Sequence, residues 1–303
     1  MRQPPQLYRI PHYPVTGGTC LLGLAVSLAV WTKFINVDLL TENYRIWHGQ
    51  PWRLLTSTLP HVNLIHLAFN LYWIWALGSI IEEVLGSAFV AMLMIVVAAG
   101  SSAAEYAFDR GGEGLSGVGY GLFGFLWVVG RYDARFKDVI DVKTIQLFVG
   151  WFFLCIVATV MNIMPVGNIA HGSGAVLGAI VGYAVATDGA RRIITAMSLA
   201  AVVALLLICS SVLRPKVNLS RYGGWDVGQA GYDSLVAGNY EQAVRYFTEA
   251  TSYRIVDPSS WFDLGLAQER LDRKADAANS YRHALALDPN SEDYKQALKS
   301  ITR

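Results

Sequence analysis

Apolar runs separated by short polar stretches fill the first two thirds of the chain, at about 17–37, 61–81, 87–108, 115–130, 144–164, 169–187 and 193–213. Most approach the roughly 20 residues that a helix needs to cross the hydrocarbon of a bilayer. Seven membrane-spanning helices are therefore expected. The fourth run is shorter and follows directly on Gly111-Gly112-Glu113-Gly114, so its helix should start below the membrane surface. Non-helical backbone at that depth is tolerated only where it is buried in protein or lines a wet cavity. Ser116 then lies at the floor of a water-accessible pocket. Beyond 213 the pattern changes, because charged and aromatic residues become frequent and apolar positions recur at helical spacing.

The C-terminal pattern is a repeat. Gly231, Ala243, Phe247 and Ala250 recur 34 positions later as Gly265, Ala277, Tyr281 and Ala284, and Asp257-Pro258 and Asp288-Pro289 close the two units. With Trp261-x-x-Leu264-Gly265, this region resembles two tetratricopeptide repeats followed by a capping helix from about Ser291. Such stacks present a concave face suited to a peptide or protein partner. About three repeats are usually needed to stand alone, so two are expected to lean on the membrane part, on a partner or on another copy. The bland alternative is that these helices only stabilise the chain.

Composition agrees with the apolar pattern: 53% of residues are hydrophobic and 16% charged, with a formal net charge of +1. The basic residues form no long run, so a nucleic-acid partner is not expected. Cys20, Cys155 and Cys209 each fall inside an apolar run and suggest no disulfide framework. The polar, proline-rich residues before the first run, and the lack of a small-residue cleavage site after it, read as a retained helix.

Basic residues in short loops orient the bundle. Arg131, Arg135, Lys137 and Lys143 follow span four, and Arg191 and Arg192 follow span six, so both loops are expected in the cytoplasm, as is the N-terminus with Arg2 and Arg9. The loop 165–168 has no basic residue and faces out. Spans two, four and six then all enter from outside, which gathers His66, Ser116 and His171 in the outer leaflet. If span seven crosses, the repeats are extracytoplasmic. Arg214 and Lys216 just beyond it weigh against that side, although a large following domain can be translocated despite such charges.

Ser116 and His171 are polar residues in places where lipid makes polarity expensive. A serine hydroxyl becomes a nucleophile when a base takes its proton, and histidine suits that role near neutral pH. No acidic residue lies in the outer halves of spans two, four or six, so a dyad is expected and not a triad. The start of a helix leaves backbone N–H groups free for a developing oxyanion. His66 and Asn70, one helical turn apart, share a face of span two and could supply further donors. Each feature has a plain structural reading too. The glycines around Ser116 and His171 could be small-residue packing, His66 with Asn70 interhelical hydrogen bonding, and His171 a satisfied structural histidine.

Taken together, Trp52-Arg53, His61, His66-Leu67-Ala68-Phe69-Asn70, Gly114-Leu115-Ser116-Gly117, and Ala170-His171 with Gly174 and Gly178 resemble the rhomboid intramembrane serine proteases, over about 51–186. The resemblance implies an all-α fold: a six-helix membrane core with a seventh span, followed by the repeat solenoid. It implies Ser116 as nucleophile, His171 as general base, His66 and Asn70 as oxyanion stabilisers, and Gly114, Gly117 and Tyr120 as pocket supports, Tyr120 beside the histidine. It also implies single-span membrane proteins as substrates, cut near their extracytoplasmic ends, and no metal or cofactor. Glu113 departs from the small residue common there, and the half-submerged first loop of the family corresponds to about 38–60. His61 reads as a loop-facing structural residue, and Glu82 with Gly86 as architectural. The expected organisation is a cytoplasmic segment 1–16, the protease core 17–187, a linker and seventh span 188–214, and the repeat module 215–303, in a plasma membrane of bacterial type. The alternative is a rhomboid-like scaffold that binds membrane proteins without cutting them. A transporter fits less well, since no ionisable residue sits clearly at the bilayer midplane.

Overall fold

The computed structural model describes residues 3–164, 166–220 and 223–302, and all regular elements among them are helical. Arg2 and Pro165, which entered the orientation argument, lie outside the described residues. The chain divides into two compact units, one of residues 1–106 and 111–210, the other of 107–110 and 211–303.

In the first unit, α1 (Pro14–Trp31), α2 (Leu64–Leu85), α3 (Ser87–Phe108), α5 (Val142–Val160), α6 (Asn168–Ala186) and α7 (Gly189–Ser210) are each long and apolar enough to cross a membrane. The remaining helix, α4 (Ser116–Val129), has 14 residues. At 1.5 Å per residue it rises about 21 Å, short of the roughly 30 Å hydrocarbon. Local chemistry sets the ends. Pro14 opens α1 at a position where a missing N–H costs nothing. The Asn63 side chain caps α2 by accepting from the His66 N–H at 2.9 Å. Gly86, at φ +83°, turns the chain from α2 into α3 in a single residue.

Helix α4 is the centre of the unit, buried at every residue from Gly117 to Leu126. Its most intimate neighbour is α6. A Cβ on Gly174 would lie 2.2 Å from the Gly117 carbonyl oxygen, and one on Gly178 would lie 1.9 Å from that of Gly121. Only glycine permits that approach, which is how helices associate where lipid removes the hydrophobic drive. At the C-terminal end of α2, the Glu82 carboxylate accepts from the N–H groups of Val15 and Thr16 at 3.0 and 2.8 Å and from the Ser87 hydroxyl at 2.7 Å. It thereby satisfies orphan donors at the start of α1 and joins three helices.

The first loop is a built structure. Arg53, 1% exposed, donates from Nη1 to the carbonyls of Asp38 and Thr41 at 2.5 and 2.8 Å and from Nε to Gln50 at 2.7 Å. Trp47 donates from Nε1 to the Ser210 carbonyl at 2.7 Å, and Leu206 and Leu207 pack against Ile46, Leu54, Ala103 and Tyr106. The C-terminal end of α7 therefore stands beside this loop.

In the second unit, α8 (Trp225–Val236) pairs with α9 (Tyr240–Ala250), α10 (Pro258–Arg270) pairs with α11 (Lys274–Leu287), and α12 (Glu292–Ile301) follows. A Cβ on Gly231 would meet the Phe247 ring at 2.8 Å and one on Gly265 the Tyr281 ring at 2.4 Å, so each small residue receives the aromatic of its partner helix. Asp257 caps α10 through the Ser259 N–H at 2.9 Å with Pro258 at its first position, and Ser291 caps α12. Arg214 is buried here and bonded to Tyr253 and, at 3.3 Å, to Asp226.

Candidate active site

Ser116 is the first residue of α4 and His171 lies in the first turn of α6. The structure brings them together: His171 Nε2 is 2.8 Å from Ser116 Oγ. The glycine contacts below them fix this separation, because Gly117 and Gly174 lie one and three residues beyond Ser116 and His171. His171 is 3% exposed, and its Nδ1 has no hydrogen-bond partner among the described residues. The pair is therefore a dyad in geometry. The Tyr120 ring stacks on the His171 ring with centroids 4.6 Å apart and planes 22° apart, and its hydroxyl donates to the Phe148 carbonyl at 3.0 Å. One face of the imidazole is thus fixed by a ring that is itself anchored.

The loop before Ser116 is held from three sides. The Gly114 N–H donates to the Ser57 carbonyl at 3.2 Å, and the Leu115 N–H donates to His61 Nε2 at 3.2 Å. His61 Nδ1 is 2.9 Å from the Leu59 carbonyl, which can only accept, so the proton sits on Nδ1 and Nε2 is the acceptor. The Gly112 N–H donates to Glu42 Oε2 at 2.8 Å. Two N–H groups close to Ser116 are consequently occupied. The first helical bond of α4 runs from the Gly119 N–H to the Leu115 carbonyl at 2.8 Å, so the amides of Ser116, Gly117 and Val118 are the ones that a helix start leaves without a carbonyl one turn earlier.

Of the other two candidates, His66 reaches the serine loop, and Asn70 bonds back to the turn that carries His66. Gly114, at φ +106°, presses its Cα against the His66 ring, where a Cβ would lie 2.7 Å from Cε1. Asn70 is 4% exposed and one turn deeper on the same face, with one amide N–H donated to the His66 carbonyl at 3.0 Å and the second left over.

Glu105 is a neighbour that sequence reasoning missed. It lies in the C-terminal part of α3, 3% exposed, and its Oε2 accepts from the Ala170 N–H at 2.7 Å. The signal was present, since a carboxylate in an apolar span marks function by default.

With this geometry in view, comparison with known proteins is specific: residues 48–188 match the family model of the Rhomboid domain, and residues 258–291 match that of the tetratricopeptide repeat. Residues 48–188 are a rhomboid domain. All of the candidate side chains above from His61 to His171 fall within it. The Rhomboid protease GlpG of Enterobacter sp. (strain 638) is 31% identical over 147 residues, covering 46% of this chain and 51% of that protein. The Rhomboid protease GlpG of Yersinia pestis (strain Pestoides F) is 27% identical over 200 residues, 62% of this chain and 68% of that protein, and the one from Yersinia pseudotuberculosis serotype O:3 (strain YPIII) matches equally. The chain thus spans about half the length of the Enterobacter relative and about two thirds of the Yersinia ones. The rhomboid domain takes in the part of the first loop from residue 48, with Trp52 and Arg53, whereas α7 and the repeats lie beyond it.

Proposed function

We propose that this chain is an intramembrane serine endopeptidase that cuts single-span membrane proteins near their extracytoplasmic ends. The observation that carries the reading is the 2.8 Å separation of Ser116 Oγ from His171 Nε2 at the start of two helices held together by glycine. In the first step His171 Nε2 takes the hydroxyl proton while Oγ attacks the scissile carbonyl carbon. The resulting oxyanion accepts hydrogen bonds from the Ser116 amide, the His66 ring and the free N–H of Asn70. Each well-placed donor of this kind is worth roughly two to three orders of magnitude in rate. The tetrahedral species collapses as His171 gives its proton to the leaving amine, which leaves the acyl group on Ser116. Water then repeats the attack with His171 as base and restores the serine.

A backbone can reach the dyad only where it is not hydrogen-bonded as helix, so the preferred substrates have helix-breaking residues near the cut. The N-terminus is cytoplasmic and the repeats extracytoplasmic in this reading. Supporting that side, α7 ends beside the first loop through the Trp47–Ser210 bond, and Arg214 is tied to Tyr253 and Asp226 instead of standing free at the membrane surface. There the repeats recruit the soluble part of a substrate or an adaptor.

The test is cleavage of a single-span reporter in proteoliposomes by the native protein, Ser116→Ala and His171→Ala. Cleavage by the native protein alone, with both variants folded, is the expected result. A native protein that neither cleaves nor reacts with a fluorophosphonate would overturn the reading and leave a membrane-protein-binding scaffold.

A further inference from the structure

The dyad has no carboxylate on His171 Nδ1, yet a buried carboxylate bears on the backbone of both of its halves. Glu105 accepts from the N–H of Ala170, the residue before His171 and the third residue of α6. This is one of the orphan donors of a helix start, and an anion at a helix N-terminus is also favoured by the helix dipole. The chain has been cleared around the carboxylate. A Cβ on Gly167, just before α6, would lie 3.3 Å from Glu105 Oε2, and a Cβ on Gly112, in the loop that leads to Ser116, would lie 3.5 Å from Glu105 Cγ. The same side chain is thus bonded to the segment carrying the base and packed beneath the segment carrying the nucleophile. Gly112 is held on its other side by Glu42. A third helix, α3, in this way sets the spacing between the starts of α4 and α6.

We propose that Glu105 is a positioning residue for the dyad, holding the His171-bearing turn against the Ser116 loop through its bond to the Ala170 N–H. It acts through the backbone and takes no part in proton transfer. Its removal should leave substrate binding intact while lowering the fraction of time that the two catalytic atoms spend at reacting distance, a loss confined to the chemical step.

The inference rests on the proteolytic reading, and the experiment separates the two. In proteoliposomes, kcat and KM for the single-span reporter are measured for the native protein, Glu105→Leu and Glu105→Gln, together with the rate of fluorophosphonate labelling of Ser116. Glu105→Leu should lower kcat and the labelling rate by about tenfold or more, with KM changed by less than about threefold, and Glu105→Gln, which keeps an acceptor oxygen, should recover most of that loss. Ala170→Pro serves as an independent variant. It removes the donor and leaves the carboxylate, in a first helical turn where proline is tolerated. It should reproduce the Glu105→Leu kinetics, and the double variant should be no worse than either single one. Should Glu105→Leu not fold, the Ala170→Pro kinetics decide alone. A native protein that does not cleave refutes the proteolytic reading. A native protein that cleaves, with a native kcat in Glu105→Leu or in folded Ala170→Pro, refutes the positioning role only.

Discussion

Glu42 in the first loop is buried beside Glu105, and its carboxyl is pushed up to about 8. Burial is the main cause and the Glu105 charge adds to it, while hydrogen bonds from the Gly112 N–H, Ser102 and Ser57 act in the opposite sense. The proton is therefore held more tightly in the folded protein than in the unfolded chain. With more protons bound in the native state, stability falls as pH rises. The contribution is fully present below the ordinary carboxyl range of about 4.3 and is lost as pH climbs through about 8. We expect the thermal midpoint in detergent to decline between these limits, and the decline to flatten in Glu42→Gln, which mimics the neutral acid. Equal slopes in the two proteins would assign the titration to another group. At this scale the sequence was readable where polarity met an apolar run, as with Ser116 and His171. It was opaque for Glu42, whose meaning comes from the Gly112 N–H far along the chain, whereas Glu105 was visible as a carboxylate in an apolar run but its partner, the Ala170 N–H, was not.

Two helices decide whether the site exists. Along α4 and α6 the close contacts recur in register, with Gly174 on the Gly117 carbonyl, Gly178 on that of Gly121 and Gly182 on that of Phe125. Gly178→Ala places a Cβ 1.9 Å from an oxygen that belongs to backbone and cannot rotate away. Alanine is the better helix former by about 1 kcal/mol, so any loss must come from forced separation, and overpacking of this kind costs about 1–3 kcal/mol. Gly178→Ala should inactivate at lower temperature and cut more slowly, whereas Gly150→Ala in α5, with nothing within 4 Å of its Cβ, should behave as native. Thermal inactivation of both variants in the same detergent checks this, and equal behaviour would remove close approach as the reason for these glycines. The helices themselves were legible as apolar runs, and the shortness of the fourth was legible too. The ends were less so. The run 17–37 outlasts α1, which stops at Trp31 before Lys33 takes φ +60°, and Phe34 just beyond is 86% exposed. The run 61–81 begins three residues before α2, whose start at Leu64 is set by the Asn63 cap that the apolar pattern alone did not show.

At the scale of the whole molecule, the question raised by the proposed proteolytic function is what a helical repeat unit adds to a membrane-embedded site. The chain leaves α7 at Ser210, beside the first loop, and thus at the end of the bundle where the Ser116 loop also lies. The repeat unit has its own packing, with Phe247 and Tyr281 each filling the space above a glycine of the neighbouring helix, so it can hold a partner without drawing on the dyad. A substrate held by such a tethered module meets the site at an effective concentration in the millimolar range, and the gain over free encounter can reach about 10²- to 10⁴-fold. That gain depends on the substrate having something for the repeats to hold. Removing residues 223–303 while keeping α1 to α7 should therefore leave cleavage of a minimal single-span reporter near the native rate. A native substrate with a folded extracytoplasmic portion should be cut more slowly, chiefly through a higher apparent KM, since chemistry at Ser116 is untouched. Proteoliposomes holding each protein, with the two substrates assayed side by side, give the comparison directly. Equal cleavage of both would mean that the repeats do not recruit substrate. Loss of both would mean instead that they support the membrane unit, as two repeats too few to stand alone would require of their surroundings.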